Sequence, residues 1–237
     1  MSAHLAEFIG TALIIVFGNG VVSNVVLNGS KGKDAGWIVI CLGWSMAVFI
    51  GVFASAAASG AHLNPAVSIA FAVLGDIGWS KCLTYIAAQF AGAAFGQLLV
   101  WAVYRLQFEA TPSAADKLAC FSTAPAIRHL PSNLLTEALA TFVFVLAILS
   151  IAKPSTGLGA LDAIPVAFLV LGVGLGLGGP TGYAINPARD LAPRIVHTLL
   201  PMRGKGGSDW GYAWVPVLGP LLGAVLAAVV FPVLKTL

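Results

Sequence analysis

Apolar positions in this chain come in long blocks, with the charged residues gathered between them. The first block runs 23 residues from Leu5 to Leu27, interrupted by one acid, Glu7. A helix needs about 20 apolar residues to cross a bilayer, so this block predicts a membrane span. From Ala35 to Gly75 there are 41 residues without Asp, Glu, Lys or Arg. As one helix they would extend about 60 Å, twice the hydrocarbon thickness of about 30 Å. The block must therefore turn inside the membrane. Gly60 and Asn64-Pro65 supply the turn, because glycine relieves the backbone and a residue before proline leaves the helical region. Asn is also a good helix cap and Pro suits the first helical position, so a new helix is expected from Pro65 to about Gly75. At 1.5 Å per residue it is about 16 Å long, half a bilayer. A third span is expected from Cys82 to Tyr104, then a polar, proline-containing loop from Gln107 to Pro131.

The second half repeats the plan. Spans are expected from Asn133 to Ile151 and from Ala160 to Gly178, a half-helix from Pro187 to about His197, and a last span from Tyr212 to Leu234. The phrase Gly60-Ala61-His62-Leu63-Asn64-Pro65-Ala66 returns as Gly182-Tyr183-Ala184-Ile185-Asn186-Pro187-Ala188, and Glu7 and Thr11 return as Glu137 and Thr141. Three spans per half is an odd number, so the halves have opposite orientations in the bilayer. The expected architecture is an all-α membrane protein with six transmembrane helices and two half-helices in an inverted 3+3 repeat. Repeat 1 covers about 1–107, a connecting loop 108–131, and repeat 2 about 132–237.

Composition narrows the class further. Hydrophobic residues make up 59% and charged residues 9% of the 237, against the roughly quarter-charged make-up of soluble domains. No room remains for a soluble enzymatic domain, and no basic run suggests nucleic acid. Cys41, Cys82 and Cys120 lie far apart, unlike a metal or redox site. No cofactor, metal or covalent chemistry is implied. The acid at Glu7 and the length of the first block do not resemble a cleavable signal, so the block reads as a retained span.

Two half-helices entering from opposite faces meet N-terminus to N-terminus near the midplane. Each N-terminus carries unpaired N–H groups and about half a positive charge, so cations and protons are disfavoured where they meet. The Asn64 and Asn186 amides can donate to a passing oxygen while their carbonyl oxygens hold the caps. The irregular stretches before them offer backbone carbonyls as acceptors: Gly60, Ala61 and His62 in one half, Thr181, Gly182 and Ala184 in the other. Such backbone survives in a membrane where it is buried in protein or lines a watery cavity.

The duplicated Asn-Pro-Ala, with Arg189 after the second copy, resembles the aquaporin family, also called major intrinsic proteins, through all six spans. Arg189-Asp190 resembles the glycerol-facilitator branch, and Arg194, Pro216 and Tyr104 agree with it. The resemblance implies a passive channel for glycerol, water and other small uncharged solutes, narrowest at Trp44, Gly174, Tyr183 and Arg189. The Arg189 fork would donate to hydroxyls and repel cations. Trp44 and Tyr183 would form an apolar corner for the carbon chain, and bare Gly174 would leave width. Facilitators of this branch usually have Phe where Tyr183 stands. The resemblance also implies a homotetramer with a pore in each subunit, in the cell membrane, both termini cytoplasmic.

Other readings stand beside these. Trp44 also fits an interfacial belt. Glu7 and Glu137 fit proton relays or acceptors for the irregular loops, and symmetry favours the loops. His62 fits a pH gate or loop packing. Asp190 fits a partner that fixes the second half-helix. The pattern also allows a facilitator of protonated acids such as lactic acid, or a coupled secondary transporter. The charge bias opposes the family orientation. Lys81, Lys153 and Lys235 would face inward, and Lys31, Lys33, Lys117, Arg128, Arg203 and Lys205 outward.

Overall fold

A computed structural model describes residues 1–151 and 159–236. All regular structure in them is helical. In chain order the helices are α1 (Ala3–Val26), α2 (Trp37–Ser59), α3 (Pro65–Val73), α4 (Trp79–Val103), α5 (Arg105–Ala110), α6 (Ala114–Ala119), α7 (Leu130–Ser150), α8 (Ala163–Leu177), α9 (Pro187–Leu199) and α10 (Val215–Lys235). Among the described residues α1, α2, α4, α7 and α10 are long and apolar enough to cross a membrane. The sixth crossing is α8, whose 15 residues span about 22 Å. It begins three residues later than expected, because Gly159–Asp162 forms a 3₁₀ turn ahead of it. Lys153, counted above among inward charges, lies outside the described residues.

The half-helices differ from expectation at their ends. α3 stops at Val73 because Gly75, at φ +82°, closes it: Gly75 N–H donates to Ala72 O and Asp76 N–H to Phe71 O. That pair of bonds is the Schellman termination, with glycine at the left-handed position. α9 runs to Leu199, two residues further than expected, and Pro201 follows its cap Leu200. The connecting loop is not all loop, since it holds the short helices α5 and α6.

Symmetry shows in the packing. α4 lies against α1 and α10 against α7. In the first pair a Cβ at Gly92 would run into the Phe8 carbonyl and one at Gly96 would sit 2.5 Å from Ala12 O. In the second a Cβ at Gly223 would run into the Ala138 carbonyl, and one at Gly219 would lie 2.7 Å from Glu137 Cβ. Each repeat thus uses two glycines, four residues apart, to bring its third span onto its first. This is the small-residue contact expected of helices that have no water to drive them together. The half-helices cross over: α3 lies against α10 as well as α4, and α9 against α4 as well as α10. The two repeats are therefore interlocked through their half-helices.

Candidate functional site

The loops leading into α3 and α9 have the same unusual backbone. Gly60, Ala61 and Leu63 have φ of +84°, +51° and +51°; Gly182, Tyr183 and Ile185 have +83°, +39° and +43°. Left-handed backbone costs an L-residue about 1–2 kcal/mol. The loops keep it because the membrane acids hold them. Glu7, fully buried, accepts from His62 N (2.9 Å), Leu63 N (2.7 Å), Ser59 Oγ (2.6 Å) and Gln89 Nε2 (2.8 Å). Glu137, also fully buried, accepts from Ala184 N and Ile185 N, both at 3.0 Å.

Asn64 Oδ1 accepts from Ala66 N, and Asn186 Oδ1 from Ala188 N and Arg189 N, so both residues cap the helices that Pro65 and Pro187 begin. Their amide nitrogens reach across. Asn64 Nδ2 donates to Ile185 O at 2.8 Å and Asn186 Nδ2 to Leu63 O at 2.9 Å. This reciprocal clamp was not foreseen, since it joins residues more than 120 positions apart in sequence. Leu63 O and Ile185 O are consumed by it. An amide carries two N–H donors, so each Asn keeps one. Pro65, Ala66, Pro187 and Ala188 are buried at the junction.

A cavity of about 970 Å³ runs past this junction. Gly60, Ala61, His62 and Ala184 line it, with both Asn residues, and Trp44, Tyr183 and Arg189 form part of its wall. Thr181 and Gly182 are not among its lining residues. Gly182 N–H donates to Gly178 O, and a Cβ on Gly182 would meet the Thr123 side chain. His62 is packed between Phe71 and Tyr85, its Nδ1 3.1 Å from Ser68 Oγ, which matches loop packing.

Trp44 is 5% exposed and belongs to the interior, away from any interfacial belt. The Arg189 guanidinium sits 4.1 Å from the Trp44 ring centroid, a cation–π contact. Arg189 Nη1 is buried and has no partner among the described residues. Trp44 has room only because Gly18 of α1 lacks a side chain; a Cβ there would overlap the indole.

Gly174 differs from expectation. A Cβ on it would lie 2.9 Å from Tyr183 Cζ and 3.0 Å from Cys41 Sγ, so the space it leaves is occupied by the Tyr183 ring. Gly174 itself is not among the residues that line the cavity. Trp37 flanks the same ring edge-on, at 5.7 Å and 85°, and its Nε1 donates to Gly174 O. Trp37, Cys41 and Trp44 share one face of α2 at i, i+4 and i+7. That spacing was visible in the sequence; what it faced was not.

Asp190, in the first turn of α9, is fully buried. Its Oδ1 takes Arg194 Nε (3.0 Å) and Nη2 (2.8 Å), and its Oδ2 takes Thr123 N and Oγ1, both at 2.7 Å. Arg194 goes on to donate to Thr123 O, Ser208 O and Asp209 O. The acid thus ties the second half-helix to the connecting loop and to the segment after α9. Burial pushes the Cys120 thiol pKa up to about 12.

The excess of basic residues on this side also has a structural use. Lys33 Nζ donates to Val26 O at the end of α1; Lys205 Nζ donates to His197 O, Thr198 O and Leu200 O at the end of α9. Lys117 Nζ donates to Arg203 O, and Arg128 pairs with Asp209, which raises the Arg128 pKa above its ordinary value. Cations at helix C-termini are favoured by the helix dipole whichever side of the membrane they face. A count of Lys and Arg does not separate such caps from topology signals.

The family model for Major intrinsic protein matches residues 1–231. The chain is 51% identical to the glycerol uptake facilitator protein of Streptococcus pneumoniae (strain ATCC BAA-255 / R6), over 98% of each chain. It is 50% identical to the probable glycerol uptake facilitator protein of Thermotoga maritima, over 93% of this chain and 94% of that one. Among solved structures it resembles the aquaglyceroporin from Plasmodium falciparum, with a TM-score of 0.84 and 30% identity, covering 99% of this chain and 98% of that one.

Proposed function

The chain belongs to the Major intrinsic protein family, and from that premise we infer that it is a passive channel for glycerol and water that turns back ions and protons. The observation that carries this reading is Arg189: a buried guanidinium braced on Trp44, with an unpartnered N–H, beside two half-helix N-termini. A hydroxyl entering there exchanges water for Arg189 and for the free N–H of Asn64 and Asn186, while its carbon chain passes Trp44 and Tyr183. A cation meets the guanidinium and both dipoles at once. Carbonyls of Gly60, Ala61, His62 and Ala184 serve as acceptors along the cavity.

The protein works in the cell membrane as a multi-pass homotetramer with both termini cytoplasmic, in keeping with the family resemblance. The test is reswelling of liposomes that contain the protein, followed by light scattering in glycerol, in water and in lactic acid at several pH values. Glycerol reswelling faster than in empty liposomes and independent of pH is expected. Glycerol flux at the empty-liposome level would sink the reading, and flux confined to lactic acid at acidic pH would replace it with an acid facilitator.

A further inference from the structure

Behind the Tyr183 ring lies a layer of residues that are not among those lining the cavity. The ring is boxed on three sides. On α8 and its end, Gly174 and Gly178 are four residues apart, and a Cβ on Gly178 would overlap Tyr183 Cδ1. On α2, Trp37 meets the ring edge-on, and Cys41, fully buried, places its sulfur over the same bare Cα as the end of the ring. The fourth side is the cavity wall. The depth at which the ring sits is therefore set by what stands behind it. Its backbone adds to the constraint, because at φ +39° Tyr183 is held in the left-handed region by the loop rather than by its own preference.

We propose that Cys41, together with Trp37 and Gly178, is a positioning layer that sets the solute-size cut-off by fixing how far the Tyr183 ring stands back from the cavity. This rests on the reading of Tyr183 as part of the constriction of a glycerol channel. Cys41 is the decisive member because its volume can be changed without touching backbone. A larger side chain there pushes the ring into the path of glycerol, and a smaller one lets it retreat. Water is small enough to pass in both cases.

The experiment compares fluxes of water, glycerol and the five-carbon polyol ribitol through liposomes with the parent, Cys41→Ile, Cys41→Ala and Cys41→Ser, each also on a Tyr183→Ala background. Expected for Cys41→Ile is a fall in glycerol flux of about tenfold, the scale of one or two methylenes in a fitted pocket, with water within about twofold of the parent. Cys41→Ala should raise ribitol relative to glycerol, and Cys41→Ser should keep the parent's ratios. Both differences should vanish on the Tyr183→Ala background, because the layer acts through the ring. If Cys41→Ile gives no folded channel, Cys41→Ala decides, and an unchanged ribitol-to-glycerol ratio there overturns the proposal. So do water and glycerol falling together, or Cys41 effects that persist without the Tyr183 ring. A parent that conducts no glycerol defeats the channel reading itself. Tyr183→Ala with unaltered size selection removes Tyr183 from the constriction, leaving the glycerol channel standing and the positioning layer refuted.

Discussion

The two re-entrant halves are built alike as far as the third residue of each half-helix, and there they diverge. Asn64-Pro65-Ala66 and Asn186-Pro187-Ala188 cap and start their helices in the same way, each loop hangs from a buried glutamate, and each Asn donates to the other's loop. After that the first half continues with Val67-Ser68 and the second with Arg189-Asp190. Ser68 serves its own repeat, accepting from Gln89 Nε2 and facing His62. Asp190 gathers the connecting loop and the segment after α9 through Arg194 and Thr123. The shared parts make a path through the bilayer. On the proposed reading the departures of the second half decide what takes it; they need extra support because they place a guanidinium in the interior.

The difference can be broken at its support. Removing the Asp190 carboxylate leaves Arg194 buried and unpaired, so Asp190→Ala should cost about 3–5 kcal/mol, whereas Ser68→Ala, which loses neutral hydrogen bonds, should cost about 1 kcal/mol. Thermal unfolding in detergent compares them, and equal losses would contradict the asymmetry. The acids come next. Glu7 satisfies four donors and Glu137 two backbone donors, so Glu7→Gln, which turns one acceptor into a competing donor, should destabilise by about 2–3 kcal/mol and Glu137→Gln by somewhat less. The opposite order would show that the first loop does not depend on its larger network. The clamp should show the smallest difference between halves: Asn64→Ala and Asn186→Ala each lose a cap and one cross-bond, about 1–2 kcal/mol. Because either change disturbs the same junction, the double variant should lose less than the sum. Strict additivity would mean that the halves are not coupled there.

How much of this could be read from the sequence follows from distance along the chain. Both half-helix starts were legible because a cap and its proline are neighbours, and the end of α3 was legible to within two residues because Gly75 marks it. The role of the acids was legible in outline, since Glu7 and Glu137 hold equivalent places in the repeat. Gly174 reads in the sequence as open space, and the Tyr183 ring that fills that space belongs to a distant loop. Gly18 was passed over for a similar reason, its purpose being an indole on another helix. Two of the lysines in the opposing charge bias, Lys33 and Lys205, cap helix ends, a use that reads in a sequence like a topology signal.

The central claim is that the second half discriminates, through Arg189. Its most direct test measures proton entry with a trapped pH dye and glycerol entry by light scattering, on one preparation each of the parent and Arg189→Val. Removing the guanidinium takes away one of the two charge barriers while both dipoles remain. Proton leak clearly above the parent's is expected, with glycerol still conducted; a leak identical to the parent's would remove Arg189 from this role.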